Sequence, residues 1–154
     1  MKTRLNIGSV SPAAYRAMLG LEKFIHESSI EAKLAHLLKM RASQINGCAY
    51  CLDMHSKDAR AVGETEQRLY GLDAWREAPY YTDRERAALE WVEALTLVRE
   101  GHVPDEVYER ARQQFSEQEL VDLAILAVAI NGWNRLAIAF RSEAGTYRPQ
   151  VRAQ

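Results

Sequence analysis

Two cysteines, Cys48 and Cys51, stand three positions apart, and a histidine, His55, follows four positions later. These residue types can exchange electrons or hold a metal. On a 3.6-residue repeat their side chains fall at about 0°, −60° and −20° around a helix, so one stripe carries all three. Thiols at that spacing can close a disulfide with little backbone adjustment. The first turn of a helix also places them in the partial positive charge of the unsatisfied N–H groups, which favours thiolate.

The two cysteines are not equivalent. Cys48 is nearer the helix start, but His55 is two turns, roughly 10 Å, away from it. His55 is one turn from Cys51, and helical side chains lean toward the N-terminus. Contact with a base outweighs a dipole worth about 0.3–1 kcal/mol. The spacing therefore predicts Cys51 as the attacking thiol, His55 as its base and Cys48 as the resolving thiol. Two other readings of the same residues stay open. The cysteines could be inert core residues, or Cys48, Cys51, His55 and a further histidine could ligate zinc. Against zinc, the chain has no second CxxC or HxxxH pair. His26 and His102 read as helix-flank and loop residues.

The elements that must hold this stripe are all helical. Ser11-Pro12 opens a helix to Ser28-Ser29 with Tyr15, Met18, Leu19 and Leu21 at helical spacing. A second runs from about Ile30 to Ser43, Asn46-Gly47 breaks it, and a third covers about Cys48 to Val62 before Gly63. A short helix follows from Thr65 to Leu72, then an irregular stretch through Pro79 to Tyr81. Thr82 with Glu85 and Ser116 with Glu119 have capping-box spacing. They open helices to about Arg99 and, the longest, to about Ala144, stopped by Gly145. Between them Pro104 starts another to about Phe115. No alternating β pattern of useful length occurs, so the expected fold is all-α, with about seven helices.

Size and charge narrow the function. The chain has 154 residues, 47% hydrophobic and 27% charged, which suits one domain spanning 1–154. Lys plus Arg number 20 and Asp plus Glu 21, a net charge of −1. That balance offers no footprint for nucleic acid and no polybasic arm for a membrane. The apolar run from Leu123 to Ile130 falls short of the ~20 residues of a membrane span. Met1 to Ile7 lacks the apolar stretch of a signal peptide, so a cytoplasmic location is expected. Two cysteines in a reducing compartment point to redox or metal chemistry rather than a structural bridge. Leu120 to Phe140 is apolar around most of its circumference, as in a central core helix or a subunit interface.

The segment Ser43-Gln44-Ile45-Asn46-Gly47-Cys48-Ala49-Tyr50-Cys51-Leu52-Asp53-Met54-His55 resembles the alkylhydroperoxidase D-like branch of the carboxymuconolactone decarboxylase family. The likeness continues through Gly63 to Leu69, Ala87 to Trp91 and Asn131 to Arg141. It implies an all-helical fold assembled as trimers or hexamers. It also implies metal-free, cofactor-free reduction of organic hydroperoxides or disulfides, with the pair recharged by an external dithiol or passing electrons to a peroxiredoxin partner. In that family the cysteine matching Cys51 becomes the sulfenic acid and the one matching Cys48 closes the disulfide. The decarboxylase branch lacks the cysteine pair.

This chain departs from the family pattern at two positions. The resemblance implies a glutamate twelve residues before the first cysteine, at the far end of a proton relay, and His36 stands there. An imidazole accepts a proton only when neutral, so His36 would serve a relay above its own pKa; as a simpler alternative it packs at the edge of the core. Tyr50 replaces the histidine that well-known members carry between the cysteines. Trp133, Asn134 and Arg141, on the longest helix, would border the cysteine pocket or satisfy groups at a subunit contact.

Overall fold

The computed structural model describes residues 2–149. Among them are nine α-helices and one 3₁₀ segment, with no strand. The helices are α1 (Ile7–Val10), α2 (Pro12–Glu27), α3 (Ala32–Asn46), α4 (Ala49–Ala61) and α5 (Glu66–Tyr70), the last running into the 3₁₀ turn Gly71–Ala74. Then come α6 (Asp83–Thr96), α7 (Val98–Gly101), α8 (Asp105–Gln114) and α9 (Glu117–Phe140). The all-α expectation holds. The two helices beyond the expected seven, α1 and α7, have four residues each, too short for an apolar period to register.

Both capping boxes form. Thr82 and Ser116 each accept from the backbone of the third helical residue, while Glu85 and Glu119 reach back to the cap. The far ends differ from expectation. The helix opened at Thr82 stops at Thr96, and the chain breaks at Leu97 before α7. The longest helix stops at Phe140, not near Ala144. Arg141 takes the left-handed conformation (φ 55°), and its N–H caps the carbonyls of Ala137 and Ile138. A charged residue thus ends the helix where Gly145 was expected to, because Lys57 and Asp53 of α4 draw the following segment across that helix.

α3 and α4 pack as a hairpin on α9, and α6 and α2 close two further sides. Leu37, Leu38, Ala42, Leu89, Val92 and Ile130 are fully buried where these helices meet. Each large aliphatic side chain so buried contributes roughly 1.5–3 kcal/mol. Polar residues fix the register of the hairpin. Fully buried Asn134 donates to Ser43 Oγ at 3.0 Å and accepts from Asn46 Nδ2 at 2.8 Å. Asn46 Nδ2 also donates to Asn131 Oδ1 at 2.9 Å. These bonds pin the last turn of α3 to α9, directly before the turn that carries Cys48.

By length and composition α9 would be long and apolar enough to cross a membrane. Counting uninterrupted apolar residues misses this, because Asn131, Gly132, Asn134 and Arg135 split the pattern. In this fold α9 packs against α2, α3, α4, α6 and α8, and Val121, Val128 and Ile138 remain exposed along it.

Candidate functional site

Gly47 makes the reversal between α3 and α4. Its φ of +68° is the left-handed conformation an L side chain resists, and it ends α3 as a glycine cap. Cys48 follows as the N-cap of α4 (φ −87°, ψ 96°) rather than in its first turn, so the helical-wheel angle assigned to it does not apply. Its sulfur accepts from the Cys51 N–H at 3.3 Å. A cysteine thus fills the place usually held by Ser, Thr or Asp, with its sulfur among the free N–H groups of the helix.

Cys48 and Cys51 are joined in a disulfide, their Cα atoms 5.4 Å apart. Both are 1% exposed. Their surroundings differ. Cys51, with Tyr50, Met54 and His55, lines a cavity of about 690 Å³, whereas Cys48 does not line it. His36 and Lys39 of α3, Leu19 and Glu22 of α2, and Trp133 of α9 also face this cavity. Tyr15 and Trp133 meet edge to face across it, with centroids 5.6 Å apart. The cavity wall thus combines an aromatic and apolar part with the Cys51 sulfur and ionisable groups.

His36 and His55 come together from different helices, their ring centroids 5.9 Å apart. His55 is 4% exposed. Burial first, then Lys39 and His36, hold its pKa well below the ordinary value of 6.5. Burial and Lys39 also lower His36, against weaker opposing pulls from Asp58 and Glu22. Both imidazoles are consequently neutral near pH 7 and retain a lone pair. The Nδ1 atom of each is buried without a protein partner. Lys39, itself buried, pairs with Glu22 at 2.5 Å.

Four contributors lay outside the sequence reading. Asp58 has one ligand-type oxygen within 4.8 Å of a ring nitrogen of both His36 and His55. Its position three after His55 was the available signal, since such pairs share a helix face. Glu22 and Lys39 arrive with no local signal. Tyr147 donates to Asp58 Oδ1 at 2.8 Å, and burial and then that bond push its hydroxyl pKa up to about 12. Of the residues expected on the last helix, Trp133 borders the cavity. Asn134 instead ties α9 to α3, and Arg141 caps the helix end without lining the cavity, although the next residues, Ser142 and Glu143, do line it.

The sequence profile of the carboxymuconolactone decarboxylase family matches residues 12–94, which span α2 through most of α6 and include the cysteines. The chain belongs to this family. It is 44% identical over 146 residues to the uncharacterized protein YdfG of Bacillus subtilis (strain 168), covering 95% of this chain and 99% of that one. Its fold matches a crystal structure from Agrobacterium tumefaciens with a TM-score of 0.91 and 44% identity, over 95% of this chain and all of the other. That protein is of unknown function and has been suggested to be the antioxidant defence protein AhpD. The debrominase Bmp8 shares the fold at 22% identity and a TM-score of 0.76, over 90% of this chain and 74% of its own.

Proposed function

We propose that this family member is a thiol peroxidase that reduces organic hydroperoxides through Cys51 and Cys48. One observation carries the reading: of two bonded cysteines at the start of α4, only Cys51 faces the cavity, beside a buried neutral imidazole. In the reduced protein His55 takes the Cys51 proton, and the thiolate attacks the peroxide oxygen. The O–O bond breaks, the alcohol leaves with a proton, and Cys51 becomes the sulfenic acid. The Cys48 thiol then displaces water from it to form the disulfide. An external dithiol restores the pair and is itself oxidised to a disulfide. No bound cofactor enters the cycle. His36, at the glutamate position of the family relay, passes the proton onward from His55.

Burial of both sulfurs favours a small peroxide over a protein disulfide, which could not reach Cys51 without opening the fold. Tyr15, Leu19 and Trp133 favour an apolar organic group on the peroxide. Exposed Val121, Val128 and Ile138 on α9 fit a homo-oligomer, trimer or hexamer, in the cytoplasm. The deciding experiment is a coupled assay of the purified chain with an aromatic hydroperoxide, hydrogen peroxide and several dithiols. Turnover should be fastest with the aromatic hydroperoxide. Disulfide exchange with dithiols but no peroxide consumption would make the protein a thiol–disulfide reductase instead. A sedimentation run showing only the 17.5 kDa species would remove the oligomer.

A further inference from the structure

His36, His55 and Asp58 form a cluster that peroxide chemistry uses only in part. One nitrogen of each ring and one carboxylate oxygen all lie within 4.8 Å of one another. Donors around a tetrahedral zinc stand about 3.4 Å apart, given bond lengths near 2.1 Å. Reaching that spacing requires the donors to close by at most about 1.4 Å. Two nitrogens and an oxygen suit a borderline divalent ion better than a hard one.

Three further features of the cluster point the same way. The Nδ1 atoms of both His36 and His55 are buried with no protein partner, although buried polar atoms ordinarily have one. Asp58 is oriented by the Tyr147 hydroxyl, the kind of outer contact that aims a metal-binding carboxylate. The nearby Lys39 ammonium, whose charge reaches both rings, is paired with Glu22, which offsets part of that charge against a cation. Cys51 lies one turn from His55 on the same cavity wall, but the disulfide withholds its sulfur.

We propose that His36, His55 and Asp58 bind zinc(II), and that the Cys51 sulfur completes the site when the disulfide is reduced. Reduction takes two electrons and two protons from an external dithiol, which is itself oxidised to a disulfide. Zinc then displaces the Cys51 thiol proton to solvent and takes up the thiolate as its fourth ligand. The site is thus redox-gated, with three ligands in the oxidised protein and four in the reduced one. It differs from a zinc site built on both cysteines, because Cys48 does not line the cavity. Metal loading and peroxide reduction draw on the same Cys51 and His55. The test therefore reads binding rather than turnover, and its failure leaves the peroxidase reading untouched.

The experiment titrates the full chain with zinc(II) by calorimetry, oxidised and then reduced with the reductant removed under anaerobic conditions. One ion per chain is expected, bound at least about tenfold more tightly after reduction. His36→Gln and Asp58→Asn, each checked for folding by circular dichroism, should each weaken binding by about tenfold or more, whereas His26→Gln should not. With cobalt(II) as the probe, reduced protein should show thiolate-to-metal charge-transfer absorption, kept in Cys48→Ser and lost in Cys51→Ser. Absence of stoichiometric binding in both redox states would overturn the proposal. So would affinity indifferent to both His36→Gln and Asp58→Asn, or a charge-transfer band that disappears with Cys48→Ser.

Discussion

Helix α3 carries a polar cluster on each of two faces, and the two are built on opposite terms. Toward α6, Arg41 and the indole N–H of Trp75 both reach the buried carboxylate of Glu93, at 2.5 and 2.8 Å. Arg76 adds a third contact at 2.6 Å, and Arg41 also bonds Asp73. Burial alone would raise the Glu93 pKa, but the hydrogen bonds from Trp75, Arg41 and Arg76 outweigh it and hold it low. Toward α4, His36 meets His55 with the Nδ1 of each ring unpartnered. A polar group whose partners are all within the fold stabilises that fold; one left with free valence at a cavity wall is available to a substrate or an ion. The contrast separates framework from chemistry on a single helix.

The largest expected effect lies on the α4 side. Cys51→Ser should abolish peroxide consumption, whereas Cys48→Ser should react once and hold a sulfenic acid at Cys51, read by dimedone labelling and mass spectrometry. Labelling of Cys48 instead would show that the helix start, and not His55, selects the nucleophile. Glu93→Ala should leave peroxide chemistry intact but remove the buried acceptor shared by Trp75 and Arg41, leaving the indole N–H without it and Arg41 with Asp73 alone for counter-charge. It should lower unfolding stability by about 3 kcal/mol in urea titration, and an unchanged midpoint would mean that the α6-side cluster bears no load.

The two clusters should also respond differently to pH. Both imidazoles have lowered pKa values in the fold. As pH falls through 6.5 the unfolded chain takes up protons that the folded chain refuses, so stability declines; well above 6.5 these groups contribute nothing to the slope. His55→Phe should flatten that decline in thermal melts between about pH 7 and 5, and an equally steep decline would place its origin elsewhere. The smallest effect is expected from Tyr147→Phe. It removes one hydrogen bond to Asp58 and should cost no more than about 1 kcal/mol. A larger loss would mean that the segment after α9 is a structural strap over α4.

Much of the site was legible because it is local. Cys51 and His55 are one helical turn apart, so their shared face follows from the repeat alone, and Thr82/Glu85 and Ser116/Glu119 announce their helix starts through bonds made within four residues. Cys48 was legible as a partner for Cys51 but not as an N-cap, because the turn at Gly47 decides where the helix begins. The position of His36 was marked by family likeness, but its role was not.

Spacing within single helices, then, determined from sequence alone the cysteine pair with His55 one turn beyond Cys51, the absence of a β pattern and the outline of the all-α fold. Only the tertiary structure decided which sulfur faces the cavity, that Asp58 joins His36 and His55, that Glu22 neutralises Lys39, and that α9 ends at Phe140. Each of those outcomes depends on side chains meeting segments remote in the chain, where packing sets the partners. The polar bonds of Ser43, Asn46 and Asn134 show the physical reason. A buried donor must find its acceptor wherever the fold supplies one, and no periodicity along the chain records where that is.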